Sequence, residues 1–149
     1  MIKKTKTESK TLTAGYSGTP LVKKLGIKSG FTALFMNAPV DFASRLDLPA
    51  DVIIKKTPQP QLDFVLLFVK SEKQLTQKFS HVAARLKPTG MLWVAWPKKS
   101  SGVVTDLTFT NVQAIGLAAG LVDVKICAVD EVWSGLKFVY RVKDRSRLT

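Results

Sequence analysis

The residues best suited to chemistry stand together in one short stretch, Trp96-Pro97-Lys98-Lys99-Ser100-Ser101-Gly102. It supplies two ammonium groups, two hydroxyls, a flexible glycine and a ring able to stack. Those are the parts needed to hold a phosphate or another anion. An ordinary solvated loop has the same composition. The stretch is not a P-loop, because the order Gly-x4-Gly-Lys-Ser/Thr is absent. A second candidate seat is Tyr16-Ser17-Gly18-Thr19, with Ser17 and Thr19 just ahead of a helix that Pro20 would open. Capping and turn chemistry accounts for the same residues. Lys23, Lys24 and Lys28 read as the solvated polar face of that helix.

Other reactive side chains are isolated. His81 is the one histidine. The spacing predicts a helix over 72–86 that buries Leu75, Phe79, Val82, Ala83 and Leu86, which leaves His81 on the opposite face with Gln77, Lys78 and Arg85. A general base needs a pocket and a partner, and a zinc site needs several converging ligands; His81 has neither. Cys127 is the one cysteine, so no disulfide forms within the chain. It reads as a core or sheet-face residue of a strand, with no activating neighbour in sequence. Asp130-Glu131 is an adjacent acidic pair, but neighbours in a strand point to opposite faces, so a turn or edge role is expected. Trp93 and Trp133 are expected in the core, and Trp96, at a strand end, facing a cleft. No catalytic residue, metal site or cofactor is expected.

The elements that must position these groups follow from apolar patterning. A short helix after Pro20 closes at Gly26-Ile27 in Schellman fashion. Residues 31–36, 64–69 and 91–96 are near-continuous apolar runs, as in strands buried on both faces. Pro39 opens a short helix to Leu46, and residues 52–54 form a short strand. Thr57-Pro58-Gln59-Pro60 is an extended connector. Ser71 and Gln74 make a capping box for the 72–86 helix. Leu86-Lys87-Pro88-Thr89-Gly90 ends that helix and turns the chain. A helix over 107–119 ends at Gly120, and strands at 122–129 and 133–142 form an antiparallel hairpin. The expected fold is therefore a single α/β, Rossmann-like domain over residues 14–142, mostly parallel, with an antiparallel C-terminal hairpin at one edge. Residues 1–13 are expected to be a flexible basic arm and 143–149 a basic tail. In such sheets ligands sit beyond the carboxyl ends of the strands. That end would gather Asn37-Ala38-Pro39, Lys70-Ser71 and the Lys98-Lys99 loop, with free N–H groups at the helix start after Ser71.

The stretch Leu86-Lys87-Pro88-Thr89-Gly90-Met91-Leu92-Trp93-Val94 resembles the "LKPGG-hydrophobic strand" of class I, S-adenosylmethionine-dependent methyltransferases. The surrounding order over residues 60–141 is similar too: a strand opened by Asp63, a helix, the Pro-Gly turn, a strand, a helix, Ala119-Gly120-Leu121 and a closing hairpin. The resemblance implies a trimmed methyltransferase-like sheet. In that fold the first strand runs into a glycine-rich turn that lets backbone approach the cofactor. Here residues 31–36 run into Asn37-Ala38-Pro39-Val40-Asp41, without glycine. The next strand should end in an acid for the ribose hydroxyls, yet Val52-Ile53-Ile54 ends in Lys55-Lys56. The segment 37–62 has room for about one βα unit where the fold usually has two. The whole chain also resembles a small uncharacterised bacterial domain family. The carriers are Ala14-Gly15-Tyr16-Ser17-Gly18-Thr19-Pro20-Leu21, Trp93-Val94-Ala95-Trp96-Pro97-Lys98-Lys99 and Val129-Asp130-Glu131-Val132-Trp133-Ser134-Gly135-Leu136-Lys137. That resemblance implies no activity.

The chain has 149 residues and a net charge of +12, which favours anionic partners. Residues 1–10 and 141–149 each carry +3, so half of the charge sits at the ends. The basic N-terminus is followed by no apolar stretch, so no signal peptide is expected, nor a membrane span. With one cysteine, a cytoplasmic setting is expected. The reading these features support is a non-catalytic binding module for nucleic acid or a phosphorylated small molecule. Its alternatives are a divergent methyltransferase and a protein-interaction scaffold.

Overall fold

The structure, a computed structural model, describes residues 20–148; the predicted arm over 1–13 and the Ser17 and Thr19 seat lie outside the described residues. Six strands form one sheet: β1 Thr32–Met36, β2 Ile53–Lys55, β3 Leu62–Phe68, β4 Leu86–Pro97, β5 Leu121–Ala128 and β6 Trp133–Tyr140. Their order is β2-β1-β3-β4-β6-β5. The first four are parallel, and β6 is antiparallel to both β4 and β5. Among the described residues the α-helices are α1 Leu21–Leu25, α2 Glu72–Ala83 and α3 Phe109–Ala118. This is the expected mostly parallel Rossmann-like sheet with a C-terminal antiparallel hairpin. The second hairpin strand lies inside and the first at the edge. Burial explains the choice: β6 hides Trp133, Leu136 and Phe138, whereas β5 leaves Val124, Lys125 and Ile126 exposed.

Strand alternation divides the core between the two faces of the sheet. On one face α2 and α3 cover Val65, Leu67, Val94, Trp96 and Phe138. On the other, α1 and the β1–β2 connection cover Phe64, Phe68, Trp93 and Val129. Phe79 of α2 meets Phe138 edge-on, centroids 5.2 Å apart. Gly116 lets α3 press onto β6, because a Cβ there would lie 2.0 Å from Phe138 Cε1. Trp93 Nε1 donates to Leu25 O at 2.9 Å and fastens α1 to the sheet.

Local expectations mostly hold, with four differences. α1 closes as a Schellman motif, with Gly26 at φ 86° and Ile27 N–H donating to Val22 O at 3.1 Å. It starts at Leu21, so Pro20 is at the N-cap position rather than inside the first turn. The helix expected from Pro39 to Leu46 is only a 3-10 turn, Ala43–Arg45. Asn37 and Asp41 take left-handed φ values of 59° and 66° and break right-handed winding. Phe42 then draws the segment onto Phe68, centroids 5.1 Å apart. Leu86–Gly90 is already strand rather than a turn, since α2 stops at Ala83 and Leu62 pairs with Leu86. The expected basic tail winds into a 3-10 helix, Val142–Leu148, with Arg145 Nε donating to Tyr140 O at 3.2 Å and Arg147 paired with Asp144.

Candidate functional site

Three of the predicted segments do share the carboxyl end of the parallel strands, and hydrogen bonds tie them together. Asn37 follows β1, and its Nδ2 donates to Phe68 O, the last residue of β3, at 3.4 Å. Lys70 and Ser71 follow β3, and Thr105 Oγ1, from the loop after β4, donates to Lys70 O at 2.6 Å. Lys98 N–H donates to Val132 O at 2.7 Å, joining that loop to the β5–β6 turn.

The Lys98-Lys99 loop is a built turn. Lys99–Ser101 is a 3-10 turn capped by Gly102 at φ 78°. Nothing lies within 4 Å of a Cβ placed on Gly102, so the backbone conformation alone asks for glycine. Ser101 Oγ donates to Lys98 O at 2.7 Å and accepts from Val103 N–H at 3.1 Å, so its hydroxyl serves the loop rather than a ligand. Ser100 and Lys99 are exposed and Lys98 is half-buried. Among the described residues neither ammonium is in an ion pair. Trp96 departs from expectation. It is 5% exposed and packed among the α2–α3 core, not facing a cleft. Alternation along β4 sends Trp96 to that face with Val94, and Trp93 and Ala95 to the other.

The helix start after Ser71 is also different. Ser71 Oγ accepts Gln74 N–H at 3.1 Å and Gln74 Oε1 accepts Lys70 N–H at 2.9 Å, close to the expected capping box. The free donors expected there are partly taken, because Asp106 Oδ1 accepts Glu72 N–H at 2.8 Å. An internal carboxylate thus occupies part of the anion seat. Sequence reasoning missed Asp106, and no local signal links it to a helix 34 residues earlier. Thr108 and Asn111 form a full capping box on α3, a signal that was legible as Thr-x-x-Asn.

The turn after β1 carries Ala38, Pro39 and Val40 side chains, Val40 87% exposed, and Lys55 ends β2. Two residues of the methyltransferase-like stretch are structural. Asp63 Oδ2 accepts Thr32 N–H at 2.9 Å while its Oδ1 pairs with Lys87 Nζ at 3.0 Å, clasping the amino ends of β1, β3 and β4. Gly90 passes so near β3 that a Cβ would lie 2.8 Å from Leu62 O. His81 is exposed. Asp130 Oδ1 accepts the N–H groups of Val132 and Trp133 at 2.8 and 2.9 Å, the turn role expected of it. Burial pushes the half-buried Cys127 thiol above its ordinary pKa, against the pull of Lys125 and Lys24. A shallow groove lined by Ala119, Gly120, Tyr140, Asp144, Arg147 and Leu148 lies at the other, amino end of the sheet. Among the described residues no three His, Cys, Asp or Glu gather as for a metal, and no helix is long and apolar enough to cross a membrane.

No protein-family model and no curated protein sequence matches the chain. Solved structures do. A SAM-dependent methyltransferase from Aquifex aeolicus superposes with a TM-score of 0.56 at 15% identity, covering 79% of this chain and 86% of that one. The fibrillarin pre-rRNA processing protein of Methanococcus jannaschii gives 0.55 at 15% identity, over 81% and 73%. Precorrin-6y C5,15-methyltransferase from Geobacter metallireducens gives 0.52 at 11% identity, over 90% and 96%. At these identities the likeness shows the fold: the chain has the Rossmann-like fold of the class I SAM-dependent methyltransferases.

Proposed function

We propose that this domain uses the methyltransferase-like fold to bind an anionic, phosphate-bearing partner, nucleic acid or a phosphorylated small molecule, without transferring a methyl group. The observation that carries this reading is the loop after β4. It presents Lys98 and Lys99 at the ligand end of the sheet, free of ion pairs among the described residues, on a turn fixed by Ser101 and Gly102. A pre-set turn lowers the ordering cost of binding. S-adenosylmethionine does not fit the described residues in the manner of the fold. Its cradle needs close backbone approach, and Ala38, Pro39 and Val40 stand there instead of glycine. Its ribose needs an acceptor, and β2 ends in the cation Lys55.

The test is a fluorescence-polarisation titration with generic DNA and RNA at two salt concentrations. Binding should weaken steeply with salt, as phosphate contacts by lysines do, and should weaken further in Lys98→Ala/Lys99→Ala. Absent or salt-insensitive binding, together with no response to a phosphorylated small molecule, refutes the reading.

A second reading is a divergent SAM-dependent methyltransferase. It is supported by the solved neighbours described above, whose names include a SAM-dependent methyltransferase and a precorrin-6y C5,15-methyltransferase. Saturable micromolar binding of S-adenosylmethionine would put this reading first.

A further inference from the structure

A second group of lysines lies away from the loop after β4, on the α1 side of the sheet. Here β5 and β6 meet the carboxyl end of α1 at a ledge. Lys125 of β5 and Lys137 of β6 are register partners, and Lys137 also faces Trp93 of β4. Lys125 Nζ donates to Lys24 O, at the end of α1, at 2.9 Å across 101 residues of sequence. Lys137 Nζ comes within 3.9 Å of where a Cβ on Gly26 would stand. Lys28 lies three residues past the end of α1 and is exposed. Lys125 and Lys137 thus stand side by side against the end of α1, with Lys28 close enough to act on Lys137, and Lys24 close enough to act on the neighbouring Cys127.

Among the described residues none of the four has an ion pair. Two acids of the sheet are engaged elsewhere. Asp123 accepts from Gln113 of α3 on the opposite face, and Asp63 holds Lys87 and Thr32. The crowding is felt by Lys137, whose pKa falls below its ordinary value through burial first and then through Lys125 and Lys28. Clustered like charges of this kind repel one another, and a bound polyanion relieves the repulsion. On this face Trp93, Trp133 and Phe64 are buried and Phe31 and Phe35 are half-buried, so no ring stands fully open beside the lysines for stacking a base.

We infer that this ledge, built from Lys24, Lys28, Lys125 and Lys137, is a second anion site that takes a compact polyphosphate group and disregards any base attached to it. It is distinct from the Lys98-Lys99 loop and does not depend on that loop's proposed role.

The experiment is isothermal titration of the full chain with sodium tripolyphosphate, and with adenosine triphosphate and a ten-residue oligo-dT for comparison. Tripolyphosphate and the nucleotide should bind alike, within about threefold, and the oligonucleotide more weakly. Lys125→Gln/Lys137→Gln should lose at least tenfold in affinity, and the same loss should appear when that pair is changed in a Lys98→Ala/Lys99→Ala background, where the loop no longer contributes. Lys28→Glu, an exposed single change, should lose affinity too and guards against misfolding of the double variant. No tripolyphosphate binding, binding untouched by the ledge variants, or tighter binding of the oligonucleotide in the Lys98→Ala/Lys99→Ala background overturns the inference. Loss in the Lys98/Lys99 variant alone overturns it while leaving the proposed function standing.

Discussion

Asp106→Ala should destabilise the fold by about 1–2 kcal/mol. Its carboxylate accepts Glu72 N–H, at the first residue of α2, across a 2.8 Å hydrogen bond. It is therefore a helix cap delivered from outside the helix. Truncating a cap to alanine costs roughly 0.5–2 kcal/mol, and a carboxylate at a helix start adds about 0.3–1 kcal/mol through the dipole. Asp106 is exposed and Glu72 places a second carboxylate in the same turn, so the charge part belongs at the low end of that range. Asp106→Asn separates the two contributions. It keeps an oxygen acceptor and loses the charge, so it should cost only about 0.5 kcal/mol. For a chain of this size, 1 kcal/mol moves the melting temperature by about 2–4 °C. Calorimetric melting of the parent, the alanine variant and the asparagine variant should therefore give losses of about 2–8 °C and about 1–2 °C. An alanine variant melting within 1 °C of the parent, or an asparagine variant losing as much as alanine, would refute the reasoning.

Four further outcomes follow from the packing and charge. Gly116→Ala forces a Cβ to within 2.0 Å of the buried Phe138 ring; urea unfolding should show a net loss of about 1–2 kcal/mol, the overpacking cost less the helix-propensity gain. Cys127 should react with iodoacetamide more slowly than a free thiol at pH 8, because burial raises its pKa above 9.0. The stability linked to that raised pKa is fully present below 9.0 and lost as pH rises through the folded-state value, so Cys127→Ser should flatten the alkaline end of the stability curve. Lys98→Ala/Lys99→Ala should leave urea stability within about 0.5 kcal/mol, since neither ammonium is paired among the described residues.

What the sequence made legible was local. The apolar run at β3, the Ser71 cap, the Schellman end of α1 and the hairpin polarity each depend on residues within a few positions of one another, and each appears in the structure. The segment after β1 reads as a helix because Pro39 signals a helix start, while left-handed Asn37 and Asp41 and the pull of Phe42 toward Phe68 are tertiary effects. The candidate site shows the same division. That Asn37, Ser71 and the Lys98-Lys99 loop share an end follows from strand order alone. That Asp106 fills a helix start, that Ser101 is consumed by its own loop and that Trp96 turns inward require the fold. The ledge of Lys24, Lys28, Lys125 and Lys137 was invisible, because Lys24 and Lys125 lie 101 residues apart.

The central claim is that this methyltransferase-like fold holds anions at its ligand end rather than S-adenosylmethionine. Calorimetric titration of the full chain with S-adenosylmethionine tests it most directly. The account predicts no saturable heat up to millimolar cofactor. A saturable isotherm at micromolar concentration, abolished by altering the Asn37–Asp41 turn, would contradict it.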